Sequence, residues 1–165
     1  MAVGKSVVGK RLADVTGKTF VEVDYLIEEK SGKPVNRIFK EEGEVNFREY
    51  EIAVIKQISN EKNLVVACGG GVVLNKINID RLKQESVIIW LTASIRSILV
   101  RLENPGDIRP LVTEINRENE VQSLLRFRQP FYERAADLKV NTTGLTLEQV
   151  VENILKKLET YADYY

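Results

Sequence analysis

Two segments, "NLVVAC" (Asn63–Cys68) and "SVIIWL" (Ser86–Leu91), carry apolar residues at consecutive positions rather than at alternate ones. A strand with one wet face alternates. A strand that is apolar throughout is covered on both faces, as in a parallel sheet lying between helices. The first run stops at Gly69-Gly70-Gly71. Any fold for this chain has to supply helices to cover both runs.

Those helices are legible in the spacing. Ser6–Thr16 reads as a helix with Val8, Leu12 and Val15 on one stripe and Gly17 as its stop. Thr19–Val23 is a β-rich run, and Asp24 is placed to cap a helix over Tyr25–Lys30. Pro34 opens a short helix with Ile38 and Phe39 inward, ending at Gly43. Glu44–Ser59 is a longer helix, apolar at Phe47, Val54, Ile55 and Ile58. Ser94 caps a helix carrying Ile95, Ile98, Leu99 and Leu102. Glu103–Val112 breaks the pattern and reads as a loop. Helix resumes over Glu114–Ala135 with a kink expected near Pro130. Asp137–Val140 is a last strand. Thr146 and Gln149 form a capping box for a final helix with Val150, Val151, Ile154, Leu155 and Leu158 inward.

Strands separated by helices predict a three-layer α/β/α sandwich with a mostly parallel sheet, and 165 residues suit a single domain spanning 1–165. Ligands of such sheets bind beyond the carboxyl ends of the strands. Asp24, the glycine triplet, Thr92 and Asn141–Gly144 all fall at those ends.

Composition removes several chemistries. The chain has no histidine, so imidazole catalysis, Ser-His triads and His-ligated metals are excluded. Its single cysteine, Cys68, forms no internal disulfide and suits a reducing cytoplasm. The 24 basic and 24 acidic residues balance, which argues against nucleic acid as a partner. No run approaches the roughly 18 apolar residues of a membrane span, and no segment reads as a signal peptide. A cytoplasmic monomer acting on small molecules is the expectation.

"AVGKSVV" (Ala2–Val8) places Gly4-Lys5-Ser6 at the start of the first helix. Free N–H groups and the helix dipole attract anions there. Lys5 can reach outer phosphates and the Ser6 hydroxyl can hold Mg²⁺. A triplet alone is weak, since a surface turn has the same composition. Further segments carry more information: "FVEVDYLIEEKSGKPVNRIFKEEGEVNFREYE" (Phe20–Glu51), "VVACGGGVVL" (Val65–Leu74), "IRPLV" (Ile108–Val112) and "RQPFYERAADLKVNT" (Arg128–Thr142).

In order and spacing these segments resemble the shikimate kinases, from Met1 to about Leu158. The resemblance implies a P-loop kinase that moves the γ-phosphoryl group of ATP to the 3-hydroxyl of shikimate, a step toward chorismate and the aromatic amino acids. It implies a shikimate-binding segment at about 24–59 and a lid at about 103–113. Arg48 and Arg128 match the family's two carboxylate-binding arginines, whose planar forks suit a carboxylate. Asp24 matches the acid beside the reacting hydroxyl, orienting it or taking its proton. Gly69, Gly70 and Gly71 let backbone approach the ring. Arg109 matches the lid arginine that closes over the phosphates and, with Lys5 and Asp24, makes up the catalytic set. Val3, Gly4, Lys5, Ser6 and Val7 form the phosphate loop. Arg101 lies near the adenine position with the Asn141–Gly144 turn. Ser6 and Glu22 stand at the Mg²⁺ position.

Two departures accompany the resemblance. Glu22 replaces the first aspartate of the usual D-x-D pair, which predicts altered rather than absent metal support. The family also has a central first strand, in the order 2-3-1-4-5, and a first loop glycine. Both would precede Met1, so an internal methionine and a chain that begins further upstream are expected. About five apolar residues at roughly 1.5–3 kcal/mol each give a strand worth on the order of 10 kcal/mol. Without that strand, its two neighbours must pair directly or another chain must supply one. Two other functions fit the same residues: a shikimate kinase-like protein that binds ligands with impaired catalysis, and another small P-loop kinase such as a gluconate kinase.

Overall fold

The computed structural model describes residues 2–102 and 117–162. Arg109, the expected lid and the expected helix start at Glu114 lie outside them. In chain order the elements are α1 (Lys5–Thr16), β1 (Thr19–Glu22), α2 (Val23–Ser31), α3 (Val35–Glu41), α4 (Gly43–Ile58) and β2 (Leu64–Ala67). A 3₁₀ turn (Val72–Leu74) and α5 (Lys76–Leu82) follow. The remainder is β3 (Ile89–Thr92), α6 (Ile95–Leu102), α7 (Arg117–Ala135), β4 (Leu138–Asn141) and α8 (Leu147–Ala162).

Local chemistry accounts for the boundaries. Gly17 ends α1 at φ 65°, the left-handed conformation that glycine adopts without a Cβ penalty. The Thr146 N–H donates to Gln149 Oε1 at 2.9 Å and the Gln149 N–H donates back to Thr146 Oγ1 at 3.3 Å, a reciprocal capping box at α8. The Ser97 N–H donates to Ser94 Oγ ahead of α6. Helix α2 starts two residues earlier than expected, at Val23, so Asp24 sits inside its first turn instead of capping it. Val15 is solvent-exposed, because the inward stripe of α1 is Val8, Leu12 and Ala13.

All pairing is parallel. β1 aligns with β2 from Thr19–Leu64 to Glu22–Ala67, and β3 with β4 from Ile89–Leu138 to Thr92–Asn141. Among the described residues the two pairs share no ladder. The inner edges of β2 and β3 face each other across a cavity of about 1100 Å³ lined by Leu12, Leu64, Val66, Ile89, Leu91 and Cys68, among others. Direct pairing of the two flanking strands, one of the expected outcomes, is therefore not what occurs. The cavity also explains why β3 is only half-buried at all four positions despite its apolar sequence.

Three apolar clusters hold the layers. Val23, Ile27, Ile38, Phe47, Val54 and Ile55 join α2, α3 and α4 beneath β2. Val8 and Leu12 of α1 meet Val150, Val151 and Ile154 of α8 across Val140. Val3 packs with Ile98, Leu102 and Val121, fixing the residue before Gly4 against α6 and α7. Burial of each such side chain contributes about 1.5–3 kcal/mol.

Candidate active site

The phosphate-binding candidates gather at the start of α1. Gly4 precedes the helix at φ 91° and ψ 22°, a backbone state strained for other residues, and its carbonyl accepts the Val8 N–H at 2.8 Å. The first turn therefore points its leading N–H groups out of the helix beside Lys5. Val3 is buried and Val7 exposed, and with no polar side-chain atom each can hydrogen-bond a ligand only through backbone. The Ser6 hydroxyl donates to Glu22 Oε1. A hydroxyl and a carboxylate in contact are hard oxygen donors that fit Mg²⁺. No group of three or more metal-binding acids or thiols occurs among the described residues.

One strand further on, the glycine triplet forms a floor. A Cβ on Gly69 would sit 3.0 Å from Asp24 Oδ1 and 3.7 Å from Glu51 Oε1. A Cβ on Gly71 would sit 2.5 Å from Arg48 Nη2 and 2.6 Å from Nη1. Asp24 of α2 and Arg48 of α4 thus lie directly against this backbone, as close as they do only because it lacks side chains.

Arg48 is held between two carboxylates of its own helix. Nη2 donates to Glu44 Oε1 at 2.8 Å, on the solvent side, and Nη1 donates to Glu51 Oε1 at 2.9 Å, on the buried side. Glu51 is 0% exposed, and burial raises its pKa above the ordinary carboxyl value, opposed by the positive charges of Arg48 and Arg128. Its second oxygen, Oε2, accepts from Asn78 Nδ2 of α5 at 3.3 Å.

Arg128 comes from α7 and is buried, and its Nε has no hydrogen-bond partner among the described residues. One turn later the Tyr132 hydroxyl donates to the Gly70 carbonyl at 2.7 Å while its ring stacks on Trp90 at 5.5 Å. Burial raises the Tyr132 pKa, so the phenol stays protonated as a donor. Cys68 precedes the triplet. Burial pushes its thiol up to about 12, with Glu51, Lys5 and Asp24 acting on it electrostatically. That shared influence links the phosphate end and the arginine end into one region.

Arg101 stands apart from that region. Its Nη1 donates to Thr142 Oγ1 at 3.1 Å and Ala2 O at 3.3 Å, and its Nη2 to Thr142 O at 3.2 Å. Its guanidinium is engaged by protein at Thr142 of the 141–144 turn, the segment paired with it in the expected adenine position. Lys5, Ser6, Glu22, Asp24, Arg48, the glycines and Arg128 are brought to one rim. Glu51, Asn78 and Tyr132 were given no role from sequence. Arg48-x-x-Glu51 has the i,i+3 spacing of a helical ion pair and could have signalled Glu51, whereas nothing local marks Asn78.

The family model described as "Shikimate kinase" matches residues 1–159. A shikimate kinase of Thermodesulfovibrio yellowstonii is 43% identical over 159 residues, covering 96% of this chain and 91% of the relative. Among solved structures, a shikimate kinase from Acinetobacter baumannii in complex with shikimate superposes with a TM-score of 0.91 at 32% identity, covering 98% of this chain and 89% of that one. A gluconokinase from Sinorhizobium meliloti reaches a TM-score of 0.65 at 20% identity, over 99% of this chain and 90% of that one, a likeness of fold alone.

Proposed function

The chain belongs to the shikimate kinase family, and we propose that it phosphorylates the 3-hydroxyl of shikimate on the rim formed by α1, α2, α4, α7 and the glycine triplet. It is an ATP-using kinase of aromatic amino acid biosynthesis. The assignment of individual residues is our reading. The observation that carries it is the packing of Asp24 and of the Arg48–Glu51 pair directly against the side-chain-free backbone of Gly69 and Gly71, with buried Arg128 near enough to act electrostatically on Glu51.

Arg48 and Arg128 bind the shikimate carboxylate as planar forks. The unpartnered Nε of buried Arg128 is suited to an anionic ligand. The ring lies on Gly69–Gly71, with its 3-hydroxyl at Asp24. The ATP phosphates meet the start of α1 and Lys5. In the reaction the 3-oxygen forms a bond to the γ-phosphorus as the bond to the bridging oxygen breaks, ADP leaves, and the hydroxyl proton passes to Asp24. Arg109, assigned from sequence, adds positive charge to the transferring group. Ser6 and Glu22 would hold Mg²⁺, which would offset phosphate charge. The working form is read as a cytoplasmic monomer that binds small molecules rather than nucleic acid; no helix among the described residues is long and apolar enough to cross a membrane.

A coupled ADP-release assay with shikimate, gluconate, CMP and AMP tests this reading. Shikimate alone should stimulate ADP release strongly. Equal or greater stimulation by gluconate or a nucleotide would overturn it. Binding of shikimate by calorimetry without turnover would favour the impaired-catalysis alternative.

A further inference from the structure

Asn78 is 0% exposed, seven residues beyond the glycine triplet on α5. A buried amide normally satisfies both its oxygen and its nitrogen. Here Oδ1 has no hydrogen-bond partner among the described residues, and the one polar link of the side chain is Nδ2 to Glu51 Oε2. The amide is thus oriented for Glu51 at the expense of its own oxygen.

The segment that carries it is anchored at both ends. Asn75 accepts the Ile77 N–H and starts α5, and Arg81 Nη1 donates to the Ile52 carbonyl of α4. Between these anchors Asn78 faces Glu51. The chain of contacts runs from Asn78 to Glu51 Oε2, from Glu51 Oε1 to Arg48 Nη1, and from the Arg48 guanidinium onto Gly71. Arg48 has a competing partner, Glu44, on the wet side of the same helix. A buried carboxylate free to rotate would loosen its hold and let the guanidinium turn outward.

We propose that Asn78 is a positioning residue for substrate binding: it locks the Glu51 carboxylate so that Arg48 is presented over Gly71 to the carboxylate of shikimate. This rests on the reading of Arg48 as a substrate ligand. The same backbone stretch, residues 69–78, then supplies both the floor of the site and the orientation of its arginine.

Two variants and a control test it in the full chain. Asn78→Leu keeps the branched skeleton of the side chain and removes the donor. It should raise the KM for shikimate about tenfold, a larger effect than on kcat, with the KM for ATP within about twofold of the parent. Asn78→Asp is isosteric and donates only when protonated. The groups around its carboxyl partner are Arg48, Asp24, Arg128 and Cys68 as well as Glu51 itself. Two adjacent buried carboxyls share a proton, so its shikimate KM should approach the parent's at about pH 6 and rise toward pH 8, a trend absent from Asn78→Leu. Where Asn78→Leu does not fold, this pH profile decides. Unchanged shikimate KM in both variants, or parallel loss of shikimate and ATP affinity, would overturn the proposal. Arg48→Ala separates the two levels: if it raises shikimate KM while the Asn78 variants do not, only the Asn78 role is lost. If Arg48→Ala has no effect, the site reading itself is lost.

Discussion

Arg48 covers Gly71 so closely that a single methyl group there would lie 2.5 Å from Nη2. Gly71 itself has φ −95° and ψ −9°, an ordinary backbone state, so alanine is excluded by the guanidinium and not by the backbone. Gly71→Ala should fold with a stability change under about 1 kcal/mol and raise shikimate KM at least tenfold. Thermal melts with steady-state kinetics check both. Loss of the fold would contradict this account.

Glu51 is the site's least comfortable ionised group. Its folded pKa is raised above the ordinary carboxyl value, chiefly by burial. A raised folded pKa gives stability that is present below the unfolded pKa and lost as pH rises through the folded one. Glu51→Gln removes that loss. The variant should melt a few degrees higher than the parent at pH 7 (order of magnitude). The difference should shrink as pH falls through the raised pKa of Glu51 and be gone once the pH is below the ordinary carboxyl value of about 4.5. Shikimate affinity should fall in the same variant. A Gln variant less stable than the parent at pH 7 would show that the Arg48 pairing outweighs burial.

Ser6 and Glu22 are hydrogen-bonded at the start of α1. Glu22→Gln removes the charge and keeps the shape. It should raise the Mg²⁺ concentration for half-maximal activity several-fold, with little change in shikimate KM. Equal Mg²⁺ titrations for variant and parent would remove Glu22 from the metal position.

The Cys68 thiol, at about 12, is essentially undissociated at neutral pH. Native protein should react with a disulfide reagent at least tenfold more slowly than protein in urea. Cys68→Ser should retain turnover within about threefold. A fast native reaction would show that the cavity beside half-buried Cys68 admits the reagent and that its raised pKa does not protect it.

The cavity between β2 and β3 has apolar walls and unladdered edges on both sides. A five-residue Val/Ile-rich segment fused ahead of Ala2 should enter as a strand between them. Burial at about 1.5–3 kcal/mol per residue exceeds an ordering cost of about 1–2. Tm should rise on the order of 10 °C. An unchanged melt would mean the edges do not accept a strand.

The sequence revealed the parts of this fold whose signals are local. The capping box at Thr146, the left-handed Gly17 and the stripes of α4 and α8 are set within a few residues. β3 was placed too early because Ser86–Ile88 is apolar enough for a strand, yet Asp137 Oδ2 accepts the Ile88 N–H and Ser86 bonds back to Leu82. α5 escaped notice because it is seven residues without a wide apolar stripe, and what holds it is α4. The same reason hid Asn78: its partner lies 27 residues away. Arg48, Asp24 and Arg128 were visible through family spacing. The contacts that aim them were not, since a buried amide and a buried acid have no periodic signature.

Arg128 and Tyr132 stand one turn apart on α7, one reaching the site's interior and the other gripping the Gly70 carbonyl. The helix that supplies the arginine is therefore also tied to the glycine floor, so a shift of either one pulls on the other through the Gly70 carbonyl.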